Sequence, residues 1–369
     1  MAVQGARQTG KSFLIRELLA PKLPRLSYQT FDREQSRAFA DTNPETFLTQ
    51  YSDALPLAID EAQKVPKIFD AVKYSVDLKR TPGRFILLGS TEFSKLTLIR
   101  ESLTGRLSRI RLYPMNFAET FELPPNPSKS PLFTLEKPRM SRKDLLTFLT
   151  HGGMPGIFAI RSDSERTREL NDWLDLTCRR DALLIPKLKL DSILLQSILM
   201  LIATLEEPTA GNIARALKRD LRRVNTHLDA LKTLFVINEL PPHPFGTGKP
   251  FFFLCDVALA TLLGASFERQ LYTWLVQEQL SQRAYRDDLS RLYFYRSLKG
   301  RLIHLLIDSR TEPLSAIKLI PEEKTDLRDF EILYKFREKH PGTLLFVFGS
   351  ARQSWQKERL EVFPWESLG

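Results

Sequence analysis

Two glycines, a lysine and a serine near the start of the chain have the types and the spacing that bind phosphate. Gly5, Gly10, Lys11 and Ser12 complete the pattern Gly-x-x-x-x-Gly-Lys-Ser. The glycines let the backbone curl so that its N–H groups point at phosphate oxygens, Lys11 supplies a charge for the β- and γ-phosphates, and Ser12 offers a hydroxyl to Mg²⁺. The alternative is a glycine-rich turn before an ordinary helix. The predicted nucleotide-contacting residues are Gly5, Ala6, Arg7, Gln8, Thr9, Gly10, Lys11, Ser12 and Phe13.

An acidic pair follows a short apolar run further along the chain. Residues 55–59 predict a buried strand, and Asp60 and Glu61 come directly after it. In this position Asp60 would hold Mg²⁺ through water, and Glu61 would polarise the attacking water. The alternative is an edge strand that ends in two solvated acids. Together with the phosphate loop, the pair predicts a site for ATP and Mg²⁺.

Several segments together resemble a large family of prokaryotic AAA-like P-loop ATPases that carry a C-terminal domain of unknown function. They are Gly-Ala-Arg-Gln-Thr-Gly-Lys-Ser at 5–12, Ile-Asp-Glu-Ala-Gln at 59–63, Leu-Leu-Gly-Ser at 87–90, Ser-Leu-Thr-Gly-Arg at 102–106, and the later segments 152–155, 179–181 and 267–268. The resemblance therefore covers most of the chain.

The resemblance implies catalytic roles for two further residues. Ser90, at the end of a third apolar strand, would orient the attacking water. Arg106 would be an arginine finger that reaches the γ-phosphate of a neighbouring subunit, and the alternative is an ordinary surface arginine. Related proteins carry a helical segment and a full strand ahead of the phosphate loop, so we interpret the chain as short at its N-terminus.

Composition limits the remaining classes of protein. The 369 residues predict two or three domains, and a hydrophobic content of 43% is enough for their cores. Two cysteines and five scattered histidines fit neither a disulfide framework nor a zinc site. No apolar run has the length of a membrane helix. We therefore predict a cytoplasmic chain with two buried free thiols, Cys178 and Cys255.

The chain carries an excess of positive charge, with a formal net charge of +10. Nucleotide binding alone does not require this excess, which favours an anionic partner such as DNA, RNA or an acidic membrane surface. The partners that we predict are ATP and ADP, double-stranded DNA, a partner protein and further copies of the chain. We predict no membrane partner.

The predicted fold class is α/β. Alternating strands and helices over residues 1–122 predict the parallel sheet of a P-loop NTPase, with the candidate residues at the carboxyl ends of its strands. A high density of prolines marks residues 123–140 as an extended linker. Residues 141–189 predict a helical lid, in which we expect Asp181 to pair with a neighbouring arginine.

Residues 190–262 have the order helix, tight turn, helix and strand pair, which predicts a winged helix-turn-helix. In DNA-binding versions the start of the second helix enters the major groove. The residues predicted to contact nucleic acid there are Lys218, Arg219, Arg222, Arg223 and Asn225. His227, further along the same helix, could also contact base edges. One alternative is an interaction module with a solvated basic face. Another is that these arginines pair with acids of the ATPase domain and hold the winged region in place.

Residues 263–369 predict a small α/β domain, which the resemblance implies to be restriction-endonuclease-like. Active forms of that fold hold Mg²⁺ with a helix Glu, a strand Asp and a Glu-x-Lys pair. Glu268 and Lys318 match this set, but His304 stands where the Asp is expected and Ala316 where the second Glu is expected. We therefore predict a nuclease-like fold without nuclease chemistry.

Two functions remain open at this point. The first is Mg²⁺-dependent ATP hydrolysis that moves a DNA-binding winged-helix and C-terminal module. The second is a nucleotide-gated protein-interaction switch with negligible turnover. The presence of Lys11, Asp60, Glu61 and Ser90 favours hydrolysis, whereas the short first strand favours the switch.

Overall fold

The structure is a computed structural model. It describes residues 1–95, 107–123, 140–182, 185, 188–320, 327–351 and 353–367. The predicted arginine finger, Arg106, and most of the predicted proline-rich linker lie outside this part of the chain. The described strands form sheets of five, two and six strands, and the class is α/β, as predicted. No helix within the described ranges combines the length and the apolar character that crossing a membrane requires.

The five-stranded sheet and the helices packed on it occupy the first part of the chain. Their bounds are β1 (Ala2–Gln4), α1 (Lys11–Phe13), β2 (Ser27–Thr30), α2 (Glu34–Thr42), α3 (Pro44–Thr49), β3 (Leu57–Asp60), α4 (Lys67–Leu78), β4 (Phe85–Gly89), β5 (Arg109–Arg111) and α5 (Phe117–Thr120). Helix α1 continues into the π-helical turns Leu14–Leu19. A 3₁₀ helix, Ala62–Lys64, follows β3 directly after Glu61.

The central strands of this sheet have the continuous burial that is typical of parallel strands covered on both faces. Every residue of β3 and β4 is buried. The strand order is β2-β3-β4-β1-β5, and all neighbouring pairs are parallel. This confirms the predicted parallel sheet. Although β1 is short, it pairs on both sides, with Val3 opposite Leu88 of β4 and Ile110 of β5.

Helices dominate the middle of the chain. Their bounds are α6 (Arg142–His151), α7 (Pro155–Phe158), α8 (Asp163–Leu176), α9 (Ser192–Thr204), α10 (Ala210–Leu217), α11 (Leu221–Thr233) and α12 (Val257–Leu262), with the hairpin strands β6 (Ile237–Leu240) and β7 (Phe251–Leu254) before α12. One hydrophobic core contains Trp173 of α8, Ile198 of α9 and Leu228 of α11. The predicted lid and the predicted winged region therefore pack against each other.

A long helix and the six-stranded sheet form the C-terminal part. Their bounds are α13 (Phe267–Tyr285), β8 (Arg291–Arg296), β9 (Leu302–Asp308), β10 (Ser315–Leu319), α14 (Leu327–Lys339), β11 (Leu344–Gly349), β12 (Trp355–Lys357) and β13 (Leu360–Pro364). The strand order is β12-β13-β11-β10-β9-β8. Apolar residues of α13 such as Trp274 cover one face of this sheet, and residues of α14 such as Phe336 cover the other.

The loop between β6 and β7 is held by the first strand of the C-terminal sheet. The His243 N–H donates to the Phe294 carbonyl oxygen at 2.7 Å, and the Phe294 N–H donates to the Pro241 carbonyl oxygen at 3.0 Å. The rings of Phe251 and Phe294 are stacked, with centroids 4.1 Å apart. This loop is the wing of the predicted winged helix, and its backbone is therefore engaged within the chain.

The two cysteines are buried free thiols, as predicted. Burial raises the pKa of Cys178 to about 12, and it also raises the pKa of Cys255. A thiol must lose its proton to act as a nucleophile, so neither cysteine has the environment of a reactive one.

Candidate active site

The loop between β1 and α1 has the backbone shape that its glycines predict. Gly10 has a φ of +88°, in the left-handed region, directly before α1. A Cβ atom on Gly5 would lie 2.0 Å from the Leu112 carbonyl oxygen. Thr9 fastens the loop from within, because its Oγ1 donates to the Ala6 carbonyl oxygen at 3.0 Å. Glycine is therefore required at both ends of the loop, for conformation at Gly10 and for space at Gly5.

The Lys11 side chain is turned back onto this loop. Its Nζ atom donates to the carbonyl oxygens of Ala6, at 2.6 Å, and of Gly5, at 3.0 Å. Burial lowers the pKa of Lys11 to about 8, against the attraction of Glu61 and Asp60. A buried ammonium group whose hydrogen bonds go to loop carbonyls can exchange them for the stronger bonds that a phosphate oxygen accepts.

The two predicted metal ligands are in contact with each other. Ser12 Oγ donates to Asp60 Oδ2 at 2.6 Å, and Asp60 is only 5% exposed. The Tyr28 hydroxyl, on β2, donates to the same carboxylate oxygen. Burial and the hydrogen bond to Asp60 raise the pKa of Tyr28, so it remains a donor at neutral pH. Neighbouring hydroxyl and carboxylate oxygens are the hard ligands that Mg²⁺ prefers.

Glu61 is held in an unusual backbone conformation beside this pair. Its φ is +54°, which is uncommon for a residue other than glycine and often marks a functional site. Its N–H donates to Asp60 Oδ1 at 2.9 Å. Burial, and then the adjacent Asp60 charge, raise the pKa of Glu61, while Lys11 opposes them. A carboxylate with a raised pKa is a better general base near neutral pH.

Gln63 connects Glu61 with Ser90. Its Nε2 atom donates to Glu61 Oε2 at 2.6 Å and to Ser90 Oγ at 3.2 Å. Ser90 follows β4, which lies beside β3 in the sheet. Gly89 makes room for this amide, because a Cβ atom there would lie 2.6 Å from Gln63 Oε1. The three side chains therefore form one network across two strand ends.

The helices after the sheet reach the phosphate loop. Arg7 Nη1 donates to Asp181 Oδ2 at 3.1 Å, and Trp173 Nε1 donates to the Arg7 carbonyl oxygen at 3.2 Å. Asp181 also pairs with Arg180 at 3.2 Å. The prediction that Asp181 pairs with a neighbouring arginine is therefore confirmed, and one of its partners belongs to the phosphate loop.

A buried carboxylate holds the segment of residues 152–155 that the sequence singled out. Asp256 accepts from the N–H groups of Gly153, at 2.7 Å, and Ala258, at 2.8 Å, and burial raises its pKa to about 6. A Cβ atom on Gly152 would lie 1.9 Å from Asp256 Oδ1, so this position requires glycine. The segment thus fastens the loop after α6 to the start of α12.

The residues predicted to contact nucleic acid lie on the surface around the turn between α10 and α11. All five are exposed: Lys218, Arg219, Arg222, Arg223 and Asn225. Arg223 Nη2 pairs with Asp191 Oδ2 at 3.1 Å. This partner precedes α9 and does not belong to the five-stranded sheet domain. Among the described residues, Lys218, Arg219 and Arg222 have no side-chain ion pair.

His227 does not belong to this surface, and its predicted contact with base edges is wrong. The residue is 1% exposed. Its Nδ1 donates to the Arg223 carbonyl oxygen at 2.7 Å, and its Nε2 accepts from the Asp191 N–H at 3.0 Å. His227 lies on the helix face that also carries the buried residues Val224 and Leu228, whereas Asn225 faces solvent.

The C-terminal candidates form a hydrogen-bonded pair at the sheet. His304 Nδ1 accepts from the Leu319 N–H at 3.1 Å, so its proton lies on Nε2, which faces Glu268 Oε1 at 3.4 Å. Burial lowers the pKa of His304 and favours the neutral ring. Over the described ranges, no three His, Cys, Asp or Glu side chains are grouped as metal ligands. The absence of nuclease chemistry stays a prediction.

Comparison with known families agrees with the geometry of the site. A family model described as an AAA domain matches residues 1–121. Residues 1–121 therefore resemble an AAA domain. A second model, for a domain of unknown function, matches residues 142–269. The first model covers the parallel sheet and the phosphate loop. The second model covers the helices that follow and assigns no function to them.

Individual relatives and solved structures share a quarter or less of their aligned residues with this chain. Uncharacterised proteins of Mycobacterium tuberculosis and Mycobacterium bovis are each 25% identical over 247 residues, which is 66% of this chain and 50% of theirs. The chain therefore spans about half the length of these relatives. Two solved structures are similar in part. One is a Walker-type ATPase of Pyrococcus abyssi, with a TM-score of 0.43 and 14% identity over 71% of this chain and 90% of that one. The other is the Orc1 protein of Aeropyrum pernix in complex with DNA, with a TM-score of 0.31 and 15% identity over 71% of this chain and 85% of that one.

The structure brings most of the predicted catalytic residues together at one edge of the sheet. Five of them lie at the carboxyl ends of β1, β3 and β4: Lys11 and Ser12 begin α1 after the loop that leaves β1, Asp60 and Glu61 end and follow β3, and Ser90 follows β4. The side chain of Phe13, by contrast, is 60% exposed. Sequence analysis missed Tyr28 and Gln63, although Gln63 stands only two positions after Glu61 and is the last residue of the Ile-Asp-Glu-Ala-Gln segment.

The close approach at Gly5 leads to a first prediction. Gly5→Ala is expected to lower the stability of the domain formed by residues 1–121 by roughly 1–3 kcal/mol. The new Cβ atom would lie 2.0 Å from the Leu112 carbonyl oxygen, which would have to move. The melting temperature measured by calorimetry should fall accordingly. Gly211→Ala, in α10, is the matched control, since a Cβ atom there meets nothing within 4 Å. Alanine is the better helix former, so the control should keep or raise the melting temperature.

Proposed function

We propose that the AAA domain binds ATP with Mg²⁺ and hydrolyses it. The observation that carries this proposal is the contact of Ser12 with Asp60 at 2.6 Å, with Lys11 and Glu61 beside them. These groups end or follow two parallel strands, β1 and β3, which lie on either side of β4 in the sheet. Their convergence at the carboxyl edge is the arrangement that binds ligands in such sheets.

The residues fit the groups that ATP and Mg²⁺ would present. Lys11 would leave the loop carbonyls and donate to the β- and γ-phosphates, while loop N–H groups cradle the phosphates. Ser12 and Asp60 would hold the metal, directly and through water. Bound Mg²⁺ would neutralise the charge that develops on the phosphates. Gly5 and Gly10 allow the backbone shape of this cradle, through the close approach of Leu112 at Gly5 and the left-handed φ at Gly10.

Glu61 is proposed as the general base. Its carboxylate would orient the attacking water and accept its proton, and the raised pKa of Glu61 suits this task. Ser90, directly after β4, would contact the same water or the γ-phosphate. Arg106, outside the described residues, is proposed to act from a neighbouring copy of the chain, as an arginine finger does.

Steady-state phosphate release with and without Mg²⁺ tests this proposal. We expect turnover with Mg²⁺ and a loss of turnover when the metal is removed with a chelator. ATP binding without phosphate release, in the presence and absence of duplex DNA, would instead support the alternative of a nucleotide-gated switch for a partner protein. A chain that binds no nucleotide would contradict both functions.

We also propose that the surface around the turn between α10 and α11 binds duplex DNA. Its cationic residues Lys218, Arg219 and Arg222 are exposed and have no ion pair among the described residues, on a chain with a net charge of +10. Because the wing is hydrogen-bonded to β8, we expect the contact to rely on α11 and the turn before it. Phosphate contacts would then dominate affinity over base contacts.

Packing supports a coupling between the two proposed sites. Asp181 and Trp173 contact Arg7 of the phosphate loop, and Trp173 shares a hydrophobic core with Leu228 of α11. A second link joins the sheet directly to α11, because the Glu92 N–H donates to the Thr233 carbonyl oxygen at 2.8 Å. We propose that the nucleotide state moves α11 through these contacts.

The DNA proposal makes a quantitative prediction about salt. Arg219→Ala combined with Arg222→Ala should flatten the slope of log K against log salt by up to about two units, because each phosphate contact contributes roughly −0.9. Fluorescence anisotropy on a duplex at several salt concentrations measures this slope. Arg223 is left unchanged because it pairs with Asp191.

A matched control removes the same charge elsewhere. Arg161→Ala combined with Arg168→Ala changes two exposed arginines at and before α8 and should leave the slope unaltered. If the Arg219 and Arg222 variant melts at a lower temperature but keeps its DNA affinity, these arginines hold the module in place instead. Failure of the parent protein to bind duplex at low salt would end the DNA proposal.

A further inference from the structure

Gln63 hydrogen-bonds to both residues that the proposed function assigns to the attacking water. Its Nε2 atom lies 2.6 Å from Glu61 Oε2 and 3.2 Å from Ser90 Oγ. An amide nitrogen carries two hydrogens. Both are therefore used, one on the side chain that follows β3 and one on the side chain that follows β4.

The surroundings of Gln63 determine which way its amide faces. A carboxylate oxygen only accepts hydrogen bonds, so the nitrogen must face Glu61. Gln63 Oε1 is then buried, and it has no hydrogen-bond partner among the described residues. It lies over Gly89, where a Cβ atom would approach it to 2.6 Å. A buried oxygen without a partner is unfavourable. The two donated hydrogen bonds offset this penalty, and the absence of a side chain at Gly89 leaves space for the oxygen, so the amide keeps this orientation.

The bond from Gln63 leaves one oxygen of Glu61 available. Gln63 occupies Oε2, while Oε1 has no hydrogen-bond partner within the described part of the chain. Glu61 also has a left-handed backbone conformation directly after β3, so its side chain does not continue the alternation of the strand. A bond to one carboxylate oxygen fixes the direction in which the other oxygen points.

We propose that Gln63 is a positioning residue for hydrolysis, which fixes the Glu61 carboxylate and connects it to Ser90 so that the two act as a unit. This inference rests on the proposed function. Gln63 does not itself touch the nucleotide in this account. Its loss should therefore slow the chemical step without weakening ATP binding.

Gln63→Met tests the inference, because methionine keeps the length of the side chain and removes both donated bonds. We expect kcat to fall roughly 100-fold, while the KM for ATP and the affinity for a fluorescent ATP analogue stay within about twofold of the parent. Gln50→Met, an exposed position at the end of α3, is the matched control and should match the parent in every measurement.

A double-mutant cycle separates positioning from simple packing. If Gln63 acts through Ser90 and Glu61, combining Gln63→Met with Ser90→Ala should lower kcat about as much as the more damaging single change. Fully multiplicative losses would contradict the connection. Gln63→Glu is the second variant, since a like charge beside Glu61 should also lower kcat while the shape of the side chain is kept.

The outcomes separate the inference from the proposed function. If the parent hydrolyses ATP and Gln63→Met keeps or raises kcat, the inference alone is wrong. If both Gln63 variants lose nucleotide binding or melt far below the parent, the residue has a structural role and the inference is overturned. If the parent binds ATP and releases no phosphate, the proposed hydrolysis is wrong, and the inference falls with it.

Discussion

Replacing Glu61 with glutamine is expected to lower the rate of ATP hydrolysis by roughly 10²–10⁴-fold and to leave ATP binding intact. The new amide has the size of the carboxylate, and its oxygen can still accept the bond that Gln63 Nε2 makes to Glu61 Oε2 at 2.6 Å. It cannot accept a proton from water at neutral pH. Phosphate release gives kcat, and titration with a fluorescent ATP analogue gives the affinity.

A control for this change should remove the same charge at a distance from the site. Glu34→Gln does so on the exposed first turn of α2. We expect it to keep the turnover and the affinity of the parent. An unchanged kcat in Glu61→Gln would show that Glu61 is a bystander and that another group activates the water.

Removing the Lys11 ammonium group is expected to weaken ATP binding on the order of 10–100-fold. A hydrogen bond to a charged group contributes roughly 1.5–3 kcal/mol, and each 1.4 kcal/mol is about tenfold in affinity. Lys11→Ala removes the group that now donates to the Gly5 and Ala6 carbonyls and that would donate to phosphate. Titration calorimetry measures the change directly.

The pH dependence of ATP affinity gives an independent measure of the same group. Burial lowers the pKa of Lys11 to about 8, so its charge in the free protein is lost as the pH rises through that value. ATP affinity of the parent should therefore fall over this range, and that of Lys11→Ala should not follow it. Lys22→Ala, at an exposed position, is the matched control. Equal affinity of Lys11→Ala and the parent would refute the assignment of the phosphate loop.

Local motifs allowed the sequence to predict the phosphate loop and the acidic pair. The conformation of the loop depends on glycine at Gly5 and Gly10, and such backbone requirements are written into residue types a few positions apart. The buried runs that became β3 and β4 also carry their own signal, because strands covered on both faces are apolar throughout. The order of the strands, β2-β3-β4-β1-β5, was not predicted and was decided by the tertiary structure.

The position of His227 shows where local reasoning failed. Its helix and the basic residues around it were predicted, but the phase of the helix relative to the core was not. The apolar residues Val224, Leu228 and Leu231 turn that face inward, and His227 goes with them. The wing is a similar case, because its contact with Phe294 of β8 joins segments that are far apart in the sequence.

By itself the sequence determined the main chemical groups of the candidate site, a phosphate loop and a carboxylate pair. Each of them depends on residues that are neighbours along the chain. Only the tertiary structure decided which side chains complete the site. Tyr28 reaches Asp60 across 32 positions, and Arg7 reaches Asp181 across 174. Such contacts arise when separate strands and helices pack, and their partners leave no fixed spacing in the sequence. Gln63 is intermediate, since it is close to Glu61 along the chain, but its bond to Ser90 exists only because β3 and β4 lie side by side.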